Sequence, residues 1–270
     1  MKDSQTRLRT LDGFKIDTVY HTGKALDIAI WMHGITVNKD EYLNFFRHGA
    51  VYLAEKNIAS IRFDFRGHGK SSGAPVDFSI IGQNLDVEAV IHFAQKEYGR
   101  TGLRLHFIGA SFGAPPAIFA ASRYADIVKT VCLISPVLSY KRTFLQPETE
   151  WAKEIFSAKH LQRLEQKGRL YFDKKFYVGV HLIEEMRVIR PDISLRDLTQ
   201  PVLVFHGDRD SMVPYAATVE ACRGLSNVTL VTLKDTDHGF MIAGDDDGQT
   251  RASQANKKLI YKKLVEHITC

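Results

Sequence analysis

A mostly parallel β-sheet with helices on both faces, interrupted late in the chain by a small insertion, is the fold this sequence predicts. Short apolar runs alternate with helical stretches, and the runs are apolar on both faces, as strands covered from both sides must be. One long aromatic-rich stretch then breaks the alternation. Strand and helix in alternation define a doubly covered parallel sheet.

The first element is a hairpin, with strands over 8–11 and 14–20 and a two-residue turn at Asp12-Gly13 that accepts positive φ. Strands are predicted over 27–32, 58–63, 103–108, 130–134, 202–205 and 228–233. Helices are predicted near 41–56, 79–98, 112–124, 215–224 and 253–268. Between 137 and about 195 no strand of the sheet is predicted, yet bulky residues are dense, among them Phe144, Trp151, Phe156, Phe172 and Phe176. Such a stretch is too apolar for a linker and too long for a simple loop. It reads as a cap between two sheet strands, with one helix near 149–167 stopped by Gly168 and a further helix ended by Pro191. The expected division is a core of 1–136 and 196–270 with a cap, or lid, of 137–195.

Composition bounds the function. The chain has 270 residues, 44% hydrophobic and 25% charged, which suits a globular protein that needs no disulfide or metal staple. The net charge of +5 is spread over dispersed Lys and Arg residues, a solvated basic surface and not a nucleic-acid footprint. Cys132, Cys222 and Cys270 have no metal-type spacing, and Cys132 sits in an apolar run, so a reducing compartment is expected. The amino terminus has no apolar core of a signal peptide, and no segment approaches a membrane span of about 18 apolar residues. The cytoplasm is therefore the expected location.

Active sites in open parallel sheets form beyond the carboxyl ends of the strands. Gly109-Ala110-Ser111-Phe112-Gly113 follows one strand and opens a helix, the context of a nucleophile elbow. Its glycines remove side chains from a crowded turn, and Gly113, Ala117 and Ala121 form a stripe that lets the helix lie close on the sheet. Pro116, at the edge of the first helical turn, is expected to cost a hydrogen bond and bend the helix. His33-Gly34-Ile35-Thr36 ends another strand, where Gly34 lets the backbone turn so that the Ile35 N–H faces the same point as the Phe112 N–H. Asp208 and Asp210 both follow the strand over 202–205, and either can orient a histidine. His238 follows the last strand and can act as a general base. The order Ser, Asp, His, each after its own strand, is what lifts His238 above an ordinary surface histidine.

On these motifs, and on Asp64-Phe65-Arg66-Gly67-His68-Gly69-Lys70-Ser71-Ser72-Gly73, the chain resembles the α/β-hydrolase superfamily from about residue 7 onward. Within it the chain is most similar to bacterial cinnamoyl (feruloyl) esterases, through His33 to Asp40 and the compact stretch 176–190. The resemblance implies that the acid is the Asp of an Asp-x-x-Val-Pro ending, here Asp210 before Val213-Pro214. Ile35 stands where those esterases usually have Phe, which alters the acyl pocket and not the backbone donor. The expected activity is hydrolysis of short to medium or aromatic acyl esters by Ser111, His238 and Asp210, with the Ile35 and Phe112 amides as oxyanion hole. The alternatives are an acyl-thioesterase or peptidase, or a ligand-binding protein on the same fold. No cofactor, metal, nucleic acid or membrane is expected, and the partner is a small-molecule ester or thioester. The contiguous Asp245-Asp246-Asp247 reads as a solvated loop, lacking the alternation of a calcium loop. Neither the natural substrate nor the oligomeric state follows from the sequence.

Overall fold

The computed structural model describes residues 1–99 and 101–270. Eight strands form the sheet: β1 (Lys2–Arg9), β2 (Lys15–Thr22), β3 (Asp27–Met32), β4 (Ala59–Phe63), β5 (Arg104–Ala110), β6 (Val128–Ile134), β9 (Val202–Gly207) and β10 (Val228–Leu233). Their order across the sheet is β1-β2-β4-β3-β5-β6-β9-β10. β1 and β2 pair antiparallel, as do β2 and β4, and every other pair is parallel. The two small strands β7 (Leu170–Tyr171) and β8 (Tyr177–Val178) pair only with each other.

Two apolar layers cover the sheet. On one face α1 (Phe45–Ala54) and α9 (Arg251–Thr269) bury Phe45, Phe46, Ile260 and Leu264 against Trp31 and Phe205. On the other, α2 (Ile80–Tyr98), α3 (Ala114–Arg123) and α8 (Tyr215–Cys222) enclose Ile30, Phe63, Phe107 and Val204. Residues such as Ile30 and Trp31, adjacent in β3, are both fully buried on opposite faces, as the apolar runs require. β10 departs from the expectation. It is a sheet edge, and Thr229 and Thr232, which point to opposite faces, are exposed, so apolar residues pack on both of its sides but neither side is fully covered.

The opening hairpin is longer than expected, with Arg9 paired to Lys15, and its connection runs over Thr10–Phe14 and not over two residues. Thr10 closes it by donating its N–H to Phe14 at 3.0 Å while its Oγ accepts the Phe14 N–H at 2.9 Å. Between β6 and β9 the predicted single helix over 149–167 is two, α4 (Glu150–Ile155) and α5 (Ala158–Lys167), because Ser157 takes an extended conformation as the α5 N-cap. Gly168 ends α5 in the left-handed conformation, φ 66°, as its position implied. α6 (Val180–Val188) follows, and Pro191 begins α7 (Pro191–Arg196) at its first position, where no N–H is required. Asp245 is not a solvated loop residue: it accepts from Thr250 N, Thr250 Oγ and Ser253 Oγ and secures the start of α9. Among the described residues no helix is long and apolar enough to cross a membrane.

Candidate active site

The register of the central strands sets the geometry. Met32 of β3 lies beside Gly109 of β5, so the loop after β3 leaves the sheet next to the turn after β5. Ser111 occupies that turn with φ 51°, a left-handed conformation rare for residues with a Cβ. A Cβ on Gly109 would lie 2.5 Å from the Gly113 carbonyl, and one on Gly113 would run into the carbonyls of Met32 and His33. The turn is tight enough to exclude both side chains, and Ala117 and Ala121 continue the contact at 0% exposure. Gly34 serves by close approach and not by conformation: a Cβ there would sit 3.2 Å from the Ser111 Cβ. Pro115 and Pro116 cost less than expected. A 3-10 turn over Ser111–Gly113 precedes α3, so both prolines fall in the first turn of α3, where N–H groups have no helical acceptor. The Ser111 carbonyl still receives the Ala114 and Val137 N–H groups.

Asp210 is buried, whereas Asp208 is exposed, and the two are therefore distinguished by geometry. Its Oδ2 lies 2.8 Å from His238 Nδ1, and its Oδ1 accepts the N–H groups of Met212 at 2.9 Å and Val213 at 2.8 Å. A second histidine, His206, approaches the same Oδ2 at 3.0 Å through Nε2, while Thr218 Oγ1 meets its Nδ1 at 2.9 Å. Burial opposes the Asp210 charge, but two imidazoles and their hydrogen bonds outweigh it and hold this carboxyl far below the usual range. Burial likewise opposes a proton on His238, yet Asp210 beside it, with Glu41 and Asp237 further off, leaves its pKa above the ordinary value. With Nδ1 held by Asp210, the free nitrogen of His238 is Nε2. The His238 loop is itself tied down: Asp237 accepts the Ser211 and His238 N–H groups at 2.8 Å each, and Gly239 donates to Ser135 Oγ at 2.9 Å.

Ser111 and His238 line one cavity of about 310 Å³. Its walls are apolar, built from Ile35, Ile134, Phe144, Trp151, Met212 and Val213, with Glu41 and Tyr42 on the polar side. The stretch between β6 and β9 supplies Phe144 and Trp151. No sequence signal pointed to Glu41, whose carboxylate accepts the Gly34 N–H at 2.8 Å, or to His206. The Asp64–Gly73 motif, matched in the sequence but given no task, anchors the loop after β3. Asp64 accepts the Lys39 N–H at 2.7 Å and Lys39 Nζ at 2.8 Å, and His68 Nε2 accepts the Thr36 N–H at 3.3 Å. Arg66 joins the motif to α2 through a buried pair with Asp86 at 2.8 Å.

Backbone strain gathers around this cavity. Non-glycine residues with positive φ are Thr36, Glu41, Leu43, Asn44, Ser111, Ser135 and Asp235, all in loops at the carboxyl ends of the strands, plus Asn57 at the amino end of β4. Each such residue costs on the order of 1 kcal/mol or more, and such strain clusters where a site must hold side chains in place. Among the described residues no group of three or more His, Cys, Asp or Glu is arranged to hold a metal.

A parallel sheet with a strained serine after its central strand, and a buried Asp–His pair after two later strands, defines the α/β-hydrolase class. Residues 26–176 match the family described as serine aminopeptidase, S33, and the chain belongs to this family of α/β hydrolases. Residues 185–252 match a second description, TAP-like protein. The chain is 24% identical over 235 residues to the AB hydrolase superfamily protein YisY of Bacillus subtilis, covering 78% of this chain and 84% of that one. It is 23% identical over 238 residues to the 2-(acetamidomethylene)succinate hydrolase of Mesorhizobium japonicum, covering 78% and 81%. Among solved structures, Est1E from Butyrivibrio proteoclasticus with ferulic acid bound superposes with a TM-score of 0.77 at 22% identity, over 98% of this chain and 100% of that one. The Pyrococcus furiosus esterase Pf2001 gives a TM-score of 0.71 at 19% identity, over 99% and 90%.

Proposed function

We propose that this hydrolase is a serine carboxylesterase acting on short to medium or aromatic acyl esters, with Ser111 as nucleophile, His238 as general base and Asp210 as orienting acid. One observation carries the reading: Ser111, held at φ 51°, shares an apolar cavity with His238, whose Nδ1 is fixed by Asp210 at 2.8 Å. In this mechanism His238 Nε2 takes the Ser111 proton as Oγ attacks the acyl carbon, and the Ile35 and Phe112 N–H groups receive the oxyanion. The imidazolium then protonates the leaving alkoxide. Water, deprotonated by His238, attacks the acyl-enzyme, and the acid departs with Ser111 restored. The segment 137–195 acts as the cap, lending Phe144 and Trp151 to the acyl pocket. The likeness to Est1E with ferulic acid bound supports an aromatic acyl group of moderate size.

The family description makes a peptidase the second reading. An aminopeptidase needs acceptors for the substrate ammonium, and Glu41 is the acid lining this cavity. Both its oxygens already accept backbone N–H groups, from Gly34 and Tyr42, which favours the ester.

Fluorophosphonate labelling, followed by assays on ester, thioester and aminoacyl-arylamide panels, tests the assignment. Wild type is expected to label at Ser111 and turn over esters, and Ser111→Ala to lose both with its Tm nearly unchanged. A Ser111→Ala protein with a tenth of wild-type turnover would transfer the nucleophile elsewhere, and preferential arylamide cleavage would make the chain a peptidase.

A further inference from the structure

Glu41 stands in a conformation that glycine, and almost no other residue, adopts without strain: φ 59°, ψ 174°. Its side chain is what that conformation presents. Glu41 Oε2 accepts the Gly34 N–H at 2.8 Å and Oε1 accepts the Tyr42 N–H at 3.2 Å. The other end of the same glycine is held too. His33 Nδ1 meets the Gly34 carbonyl at 2.6 Å, and His33 Nε2 accepts the Phe65 N–H at 3.0 Å. Because Nε2 accepts, the proton of neutral His33 resides on Nδ1 and is donated to Gly34. In a trans peptide the C=O and the following N–H point opposite ways. Fixing the Gly34 carbonyl on the His33 side therefore turns the Ile35 N–H toward the opposite side.

We propose that Glu41 is a positioning residue for ester hydrolysis: it clamps the Gly34 N–H so that the Ile35 N–H stays aimed at the oxyanion, and it sets a negative charge across the cavity from His238. The proposal rests on the serine-esterase reading above and assigns to that site a residue it did not include. Glu41, Ser111 and His238 line the same cavity. The charged groups that act on His238 are Asp210, Asp237 and Glu41, all of one sign, and each favours its protonated form. Burial raises the pKa of Glu41 itself, while the two N–H donors and His238 oppose that rise. The clamp is thus strongest when Glu41 is ionised.

Glu41→Gln, Glu41→Ala and Glu41→Gly, assayed with p-nitrophenyl butyrate across pH beside wild type and Ser111→Ala, separate the two contributions. Glu41→Gln keeps an acceptor for the Gly34 N–H and loses the charge. It is expected to retain kcat within several-fold, with the acid limb of the pH profile moved to lower pH. Glu41→Ala and Glu41→Gly lose the clamp and are expected to lose about 10²-fold in kcat, the scale of one oxyanion donor, with KM nearly unchanged. Glu41→Gly should melt no lower than Glu41→Ala, because glycine accepts the backbone conformation. Wild-type kcat in Glu41→Ala or Glu41→Gly overturns the proposal. So does a loss of kcat matched by a loss of Tm in all three variants with the acid limb unmoved, the mark of a merely structural role. Turnover that survives in Ser111→Ala would instead sink the esterase reading beneath it, whatever the Glu41 variants do.

Discussion

The rim of the sheet and the segment between β6 and β9 border the same cavity but are held together by different forces. The rim is directional. Asp64, Asp210 and Asp237 each accept hydrogen bonds from side chains or N–H groups of other loops, and the backbone is strained to meet them. The segment is held by contact. Phe144, Trp151, Phe156 and Phe172 pack as a cluster with ring centroids 5.3 to 6.5 Å apart. Its ion pairs, such as Lys153–Glu150 and Arg187–Glu184, are exposed and contribute little. Hydrogen bonds fix atoms to a fraction of an ångström, whereas aromatic packing tolerates rearrangement at similar volume. The rim therefore suits the exact placement of polar groups, and the segment suits an adaptable apolar wall.

Substitutions on the two sides should separate kcat from KM. The largest effect is expected at Asp210→Asn. Losing the carboxylate frees the wrong imidazole tautomer, and kcat should fall about 10⁴-fold with KM little changed. Asp208→Asn, two residues earlier and exposed, is the control and should keep near-wild-type turnover. Equal small losses in the two variants would remove Asp210 from the mechanism. A smaller effect is expected at Trp151→Ala in the packed segment. Truncating this half-buried wall should raise KM for aromatic esters about tenfold, close to 1.4 kcal/mol, with kcat changed less. A variant with unaltered KM and collapsed kcat would break the division of labour.

The smallest effect concerns pH. Burial lowers the His33 pKa to about 4, so this ring is neutral in the folded protein. A histidine whose folded pKa is depressed contributes stability that is present above its unfolded value of about 6.5 and is lost as pH falls through the folded value. His68, buried beside it, shifts in the same direction. Thermal melts should therefore show falling stability between pH 6.5 and about 4, shallower in His33→Gln. A flat profile over that window would show that the rim does not depend on these neutral rings.

What was legible in the sequence follows the same division. Ser111, Asp210 and His238 stand beyond strand ends and carry sharp local signals, so the candidate site was readable in outline, as were the strands of the sheet. Glu41 was not, because its task is to accept an N–H seven residues earlier, which neither helical nor strand periodicity marks. His206 was hidden for a related reason. A histidine near the end of β9 has no visible partner until the fold brings Thr218 and Asp210 to its two nitrogens. The break between α4 and α5 was missed because it rests on one residue, Ser157, turning extended at φ −60° and ψ 153° with no side-chain cap, while the apolar pattern continues across it.

Lys39 carries a consequence for anyone reshaping this enzyme. Its ammonium sits between Asp64 and Asp17, 2.8 Å from each, and Asp17 belongs to β2, where Gln5 of β1 donates to it at 2.9 Å. The amino-terminal hairpin, at the far margin of the sheet, is thereby wired to the loop that carries Ile35. Met1 is exposed and leaves room for a fused partner. Asp17 leaves none for shortening: a trimmed variant that still folded would leave the buried Lys39 ammonium with one of its two carboxylates, Asp64. The hairpin is thus better regarded as a remote brace of the loop after β3 than as a dispensable strand pair.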